Sequence, residues 1–351
     1  MKRRLTTFRN LIACLLLVSF AAGNSTAQSR RSPVAPAREQ VQRAIEEAFE
    51  SLKTNTEGKN ADYIPYLAKV DSKLFGIAAV SVDGEVVAIG DVNYSFAIES
   101  ISKVFILALA LEELGPTDVF QKIGSEPTGR PFNSVSAVED MPTRTGNPFV
   151  NAGAIATTSL ISGTNAETKW NKILGFYGRV AGEKLNLIDA VYQSEAATND
   201  HNKALATLLK SYERMYSDPL EATDIYTKQC SVGVTAKQLA MMGATLANRG
   251  INPATNESVI KPDNIPHILA TMSMAGLYDG SGGWAWSVGL PAKSGVGGGI
   301  VAVIPGKGAI VAFAPPLDKA GNSVKAQKAI AYVSEKLGIN LYSPRSVGVT
   351  Q

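Results

Sequence analysis

The sequence predicts an α+β fold: one antiparallel sheet assembled from both ends of the chain, flanked by terminal helices, with a large helical region inserted between its halves. Three observations point there. Strand-like apolar runs stand only near residues 75–90 and 284–314. Helical patterns fill most of the stretch from about 100 to 280. Amphipathic helices bracket the strand-bearing segments, over 37–52 and 323–337. The chain has 351 residues, 45% hydrophobic and 19% charged, enough to bury a sizeable core in one or two domains.

The N-terminus reads differently from the rest. Lys2, Arg3, Arg4 and Arg9 precede an apolar stretch, Leu11 to Ala22, that is too short to span a membrane. Small residues follow, and Ser25-Thr26-Ala27 resembles a cleavage site. Residues 1–27 are therefore expected to be an export signal removed near Ala27, 28–36 a disordered leader, and 37–345 a single domain. Its sheet part covers 37–95 and 280–340, its helical part 96–279. A periplasmic or secreted location follows, with no stable membrane anchor. Loss of the four basic residues takes the formal charge from +3 to −1, which argues against nucleic acid and a polybasic membrane contact. Cys14 leaves with the signal, so Cys230 has no partner for a disulfide and reads as a small buried hydrophobe.

Within the domain, Val41, Ala44, Ile45, Ala48 and Phe49 share a helix face. Asp83-Gly84-Glu85 between two apolar runs signals a hairpin of strands at 75–82 and 86–90. The run from Val104 to Leu111 ends in Gly115-Pro116, so it reads as a buried helix stopping near Leu114. Asn147 to Ile155 reads as a turn entering a helix, and 165–178, 183–197, 200–215, 222–226 and 235–248 carry helical patterns. Strands are expected at 284–288, 300–304 and 309–314, with Pro305 to Gly308 as the last turn.

Chemistry concentrates in two motifs. Ser100-Ile101-Ser102-Lys103 puts a hydroxyl and an amine three residues apart at a helix start, hence on one face. A desolvated lysine can lose its proton and serve as the base that activates a serine. Ser258 and Lys261 repeat the spacing, but Lys261 precedes Pro262, which disfavours a helix there. The second motif, Lys293-Ser294-Gly295-Val296-Gly297-Gly298-Gly299, enters a late strand. Small residues on an edge strand allow close approach of a substrate, and a backbone N–H there can join the serine's own in holding an oxyanion. Lys293 is expected to add positive charge to the cleft. Ser-x-x-Lys followed by a Lys-Ser-Gly strand is the pairing of penicillin-recognising enzymes. The two histidines, His201 and His267, belong to no His-Glu-x-x-His pair, and no Gly-x-Ser-x-Gly elbow is present. Neither a metal nor another cofactor is expected.

Eight blocks in order make the chain, over roughly 38–340, resemble the bacterial serine-dependent glutaminases, which share the β-lactamase/transpeptidase-like fold. These are Ser100-Ile-Ser-Lys103-Val, Arg130-Pro-Phe-Asn-Ser134, Asn147-Pro-Phe-Val-Asn151-Ala-Gly-Ala154 and Ser194-Glu195, then Asn202-Lys-Ala-Leu-Ala206, Tyr226-Thr-Lys-Gln-Cys-Ser-Val232, Tyr278-Asp-Gly-Ser-Gly282 and the Lys293 motif. The resemblance implies hydrolysis of L-glutamine to L-glutamate and ammonia through an acyl-enzyme on Ser100, with Lys103 as its base. It implies that Asn151, Glu195, Asn202, Tyr226, Tyr278 and Val296 contact substrate, Glu195 meeting the ammonium group. Tyr226 is also a candidate proton shuttle, and a homodimer or homotetramer is implied. Glu99 departs from the family, which usually has Gln before the nucleophile; His201 and Lys203 flank Asn202 where Arg is common. A penicillin-recognising enzyme, β-lactamase or D,D-peptidase, is the alternative, and a non-catalytic amino-acid-binding protein a more distant one.

Overall fold

The computed structural model describes residues 36–343. The expected export signal, the leader up to residue 35 and the last two residues of the expected domain lie outside the described residues.

Helix α1, Arg38–Leu52, buries Ala44, Ile45 and Ala48 on one face. Strands β1, Gly76–Ser81, and β2, Val86–Gly90, form the hairpin, with Ile77 opposite Ile89. Gly84 in its turn adopts φ +84°, a conformation that suits glycine. A two-residue strand β3, Phe96–Ala97, leads to a single 3₁₀ turn, Glu99–Ile101, and then to α2, Ser102–Leu114. Ser100 thus lies one residue pair ahead of the α-helix proper. Every residue of α2 from Ser102 to Leu111 is buried, so this helix runs through the core rather than over it. Gly115 at φ +79° stops it, and Pro116 opens α3, Pro116–Ile123.

The helical region continues with α4, Val135–Asp140; α5, Asn151–Ser159; and α6, Ala166–Ala181. Then come β4, Asn186–Leu187; α7, Asp189–Ala196; α8, Asp200–Ser211; and α9, Pro219–Cys230. Strand β5, Val232–Val234, α10, Ala236–Ala247, and α11, Ile265–Ala275, complete it. The helix expected from 183 therefore begins only at Asp189. Strands β3, β5 and β4 form a small second sheet in that order, in a region where the sequence carries no strand signal. Two or three residues are too few for a period to show.

The strand expected at Trp284–Val288 is instead helix α12, Ser281–Ser287. On a strand Trp284 and Trp286 would share a face; on a helix they point apart. Trp284 is 5% exposed and donates Nε1–H to Leu290 O, whereas Trp286 is 90% exposed. The strand comes next, as β6, Ala292–Ser294, followed by β7, Gly299–Ile304, and β8, Gly308–Phe313. Helix α13, Val324–Leu337, ends the fold.

The main sheet has the order β2-β1-β8-β7-β6, all neighbours antiparallel, so its two halves do come from the two ends of the chain. Alternation along its strands divides two cores. Ala78, Val80, Val301, Val303, Val311 and Phe313 face the helical region, while Ile77, Ala79, Ile300, Ala302, Ile310 and Ala312 face α1 and α13. Gly243 lets α10 lie on this sheet, because a Cβ there would stand 2.6 Å from Ala309 Cβ. Edge strand β6 adjoins the 3₁₀ turn carrying Ser100. The site therefore forms where the sheet edge meets α2.

Candidate active site

The local path of the chain aims Ser100. Glu99 adopts φ +51°, a left-handed conformation that costs a non-glycine residue energy and turns the backbone sharply between β3 and α2. Opposite stands the glycine turn of the β6–β7 hairpin. It has no room for larger residues: a Cβ on Gly295 would lie 2.7 Å from Ile98 O, and one on Gly297 2.4 Å from Ala97 O. Glycines here let two backbones touch. Among the described residues neither the Ser100 N–H nor the Val296 N–H donates a hydrogen bond within the protein, leaving both for a ligand.

Lys103, on α2, is fully buried. Its Nζ donates to Asn151 Oδ1 at 2.7 Å and to Phe149 O at 3.3 Å. Burial pushes its pKa down to about 8, although Cys230, Glu99 and Glu195 pull the other way. Asn151 opens α5, and its side chain is a junction. Its Oδ1 also accepts from the Tyr226 hydroxyl at 3.2 Å, and its Nδ2 donates to Asn202 Oδ1 at 3.0 Å. Four of the expected residues, from α2, α5, α8 and α9, thus belong to one hydrogen-bonded chain.

The hydroxyl beside Ser100 is that of Tyr278, which also donates to Ser294 O at 3.4 Å. Burial, above all, raises the Tyr278 pKa. Its φ of +55° marks another strained position, and its ring packs on Phe132 with centroids 4.7 Å apart. A Cβ on Gly321 would stand 3.6 Å from Val296 and 3.8 Å from both rings, which places Val296 in the same wall.

Glu195, on α7, faces Glu99 and Cys230; their donor atoms all lie within 4.8 Å of one another. Ser231 Oγ donates to Glu195 Oε1 at 3.4 Å. Burial lifts the Glu195 pKa to about 7, against the lowering effect of bonds from Glu99 and Ser231. Burial first, and the neighbouring Glu195 second, hold Glu99 well above the carboxylate range. Cys230 is buried as expected, yet it borders these acids and lies 3.8 Å from Ser102 Oγ.

Lys293 occupies a place different from the one expected. It is fully buried, and its Nζ donates to Gly276 O at 2.9 Å and Ser294 O at 2.8 Å, 4.0 Å above the Tyr278 ring. Burial, with the Lys103 charge second, holds its pKa well below the usual lysine range. Its amine ties β6 to the end of α11 and carries little positive charge into the cleft. Sequence reasoning also missed Tyr63 and Ser231. Tyr63 is half exposed, but its hydroxyl is desolvated and stands near Tyr278, Glu99 and Glu195. Nothing in Asp62-Tyr63-Ile64-Pro65 marks it as part of a site.

Comparison with known proteins agrees with this geometry. The Glutaminase family model matches residues 58–342. The glutaminase of Brucella canis is 55% identical over 305 residues, 87% of this chain and 96% of its own. The solved structure of probable glutaminase ybaS superposes with a TM-score of 0.87 at 51% identity, covering 88% of this chain and all of that one. Mglu in its glutamate form superposes with a TM-score of 0.81 at 34% identity, over 86% of this chain and 70% of that one. Both its sequence and its β-lactamase-like architecture make this chain a member of the glutaminase family, the enzymes that hydrolyse L-glutamine to L-glutamate and ammonia.

Proposed function

We propose that the hydrolysis runs through an acyl-enzyme on Ser100 with Lys103 as its base. The observation that carries this reading is the placement of the Lys103 amine. A neutral amine has two N–H donors and one lone pair. The two acceptors, Asn151 Oδ1 and Phe149 O, occupy the donors. The lone pair is left free to take a proton, and the Ser-x-x-Lys spacing sets the Ser100 hydroxyl on the same face of the helix start.

Lys103 Nζ takes the Ser100 proton as Oγ bonds to the side-chain amide carbon of glutamine. The Ser100 and Val296 N–H groups hold the oxyanion. The C–N bond then breaks, the nitrogen takes up the proton, and ammonia leaves. Water attacks the resulting ester, returns a proton to Ser100 through the same base, and releases glutamate. Glu195 pairs with the substrate's ammonium, while Asn151 and Asn202 donate to its polar groups. The test is mass spectrometry after rapid quenching with a slow substrate. A glutamyl adduct on Ser100 supports the mechanism; an adduct on any other residue overturns it. A fluorescent penicillin used in parallel labels a penicillin-recognising enzyme and should leave this protein unlabelled.

Two further readings belong here. Export with cleavage near Ala27 is supported by the basic start and short apolar stretch of 1–27; N-terminal sequencing of the periplasmic or secreted protein tests it. No helix among the described residues is long and apolar enough to cross a membrane. A homodimer or homotetramer rests on family resemblance, and light scattering decides it.

A further inference from the structure

Glu99 has no role in the mechanism above, yet it occupies an enclosed position in the site. It is 3% exposed. The glycine turn closes over it, because a Cβ on Gly295 or Gly297 would lie 3.2 Å from Glu99 Cβ or Cγ. Its Oε1 is buried with no hydrogen-bond partner. Its carboxyl faces Glu195, with Cys230 as the third member of the cluster. The other titratable groups around this cluster are Lys103 on α2, Tyr226 on α9, Tyr63 on a neighbouring loop and Tyr278 at the start of a short 3₁₀ turn. Lys293 borders this set through Lys103, Cys230 and the Tyr278 ring.

Two ionised carboxylates cannot be held this close in so dry a place without a cation between them. Among the described residues the cation that acts on Glu99 is Lys103, which the mechanism requires to be neutral. An ionised Glu99 would also leave a charged oxygen without a donor. A protonated Glu99 removes both conflicts, because its O–H is donated to the Glu195 carboxylate.

We propose that Glu99 and Glu195 act as one acid, a carboxyl pair holding a single proton in the free enzyme, which presents one negative charge and not two to the ammonium of the substrate. The proposal rests on Glu195 as the ammonium partner. It gives Glu99 two consequences. The pair matches the single positive charge of its ligand. It also keeps a second negative charge away from Lys103, where that charge would favour the protonated, inactive amine. When Glu195 too becomes protonated, at lower pH, binding of the ammonium must expel that proton and affinity falls.

Infrared difference spectroscopy of the resting enzyme tests this without turnover. At pH 8 the wild type should show one protonated-carboxyl C=O band that shifts in heavy water and disappears in Glu99→Gln. In Glu195→Gln the same band should titrate at lower pH, since Glu99 has lost its negative neighbour. Absence of the band in the wild type, its survival in Glu99→Gln, or an unmoved titration in Glu195→Gln overturns the pair. The kinetic counterpart is KM, which should rise about tenfold per pH unit as pH falls below about 7. In Glu99→Gln that break should move to higher pH, because an amide N–H is a weaker donor to Glu195 than a carboxyl O–H. A purely structural Glu99 would leave the break in place, and that result also overturns the pair. Failure here leaves acylation of Ser100 standing, and failure of Ser100 labelling leaves the infrared result standing.

Discussion

Lys103 Nζ donates to Asn151 Oδ1 across 2.7 Å, a bond between two fully or nearly buried side chains from α2 and α5. It positions the amine and makes its proton affinity depend on what residue 151 carries. The active form of Lys103 is the neutral one, so kcat/KM should climb with pH through about 8 and level off above it. Asn151→Asp sets a carboxylate against the amine and favours its protonated form. The same limb should then move about one to three pH units to the alkaline side. A pH–rate profile of both proteins checks this; an unmoved limb would show that another group controls the rate.

A buried amine burdens the fold. Lys103 titrates near 8 in the folded chain against a usual 10.5, so the unfolded chain binds more protons between those values. The resulting penalty is complete below about pH 8, shrinks as pH rises and vanishes above about 10.5. Replacing the amine by an apolar chain of similar length should remove it. Lys103→Met is expected to raise stability at pH 7 by up to about 3 kcal/mol, less what the lost bond to Asn151 contributes. Activity should fall by several orders of magnitude. Denaturant unfolding at pH 7 and pH 10 measures the effect, which should be smaller at the higher pH.

Much of the arrangement was legible in the residues because it rests on long periodic segments. The hairpin around Asp83-Gly84 and the stop at Gly115-Pro116 carry local physics that no tertiary contact overrides. The tryptophan pair misled because five residues of alternating character fit a strand as well as a helix turn, and only the burial of Trp284 separates them. Lys293 misled for a related reason. A lysine next to a cleft motif reads as charge, but its amine is fully buried on two carbonyls, over the Tyr278 ring. Tyr63 was illegible because what brings it to the site is the path of an irregular segment. The Glu99–Glu195 juxtaposition joins residues 96 positions apart in sequence through a backbone turn that no local pattern announces.

Gly276 shows how closely β6 is seated. A Cβ there would stand 1.6 Å from Ala292 O, and its own carbonyl receives both Lys293 Nζ and the Ser294 N–H. Gly276→Ala must push β6 away from α11 and so displace the turn that carries Val296. A loss of about 1–3 kcal/mol in stability is expected. The oxyanion donor shifts with the strand, so kcat should fall about tenfold or more. Thermal unfolding and steady-state kinetics on the same preparation read both. Unchanged kcat in a destabilised protein would mean that the hairpin turn is held by Phe132 and Gly321 rather than by its strand.

Two tyrosines compete for the role of proton carrier, and the structure separates them. Tyr226 spends its hydroxyl on Asn151 Oδ1, whereas the Tyr278 hydroxyl lies beside Ser100 and donates onward to Ser294 O. A group that moves the proton to departing ammonia must touch the reacting atoms, and the Tyr278 hydroxyl lies beside Ser100. Tyr278→Phe should therefore lower kcat by about 10²–10⁴-fold, the usual worth of a positioned acid, with a smaller change in KM. Tyr226→Phe removes one of two bonds to Asn151 Oδ1, and its smaller loss should show in the position of the Lys103 limb as well as in kcat. Steady-state kinetics across pH on both variants distinguishes them. If Tyr226→Phe proves the more damaging in kcat, the proton travels through Asn151 and Lys103, and Tyr278 serves to shape the wall with Phe132.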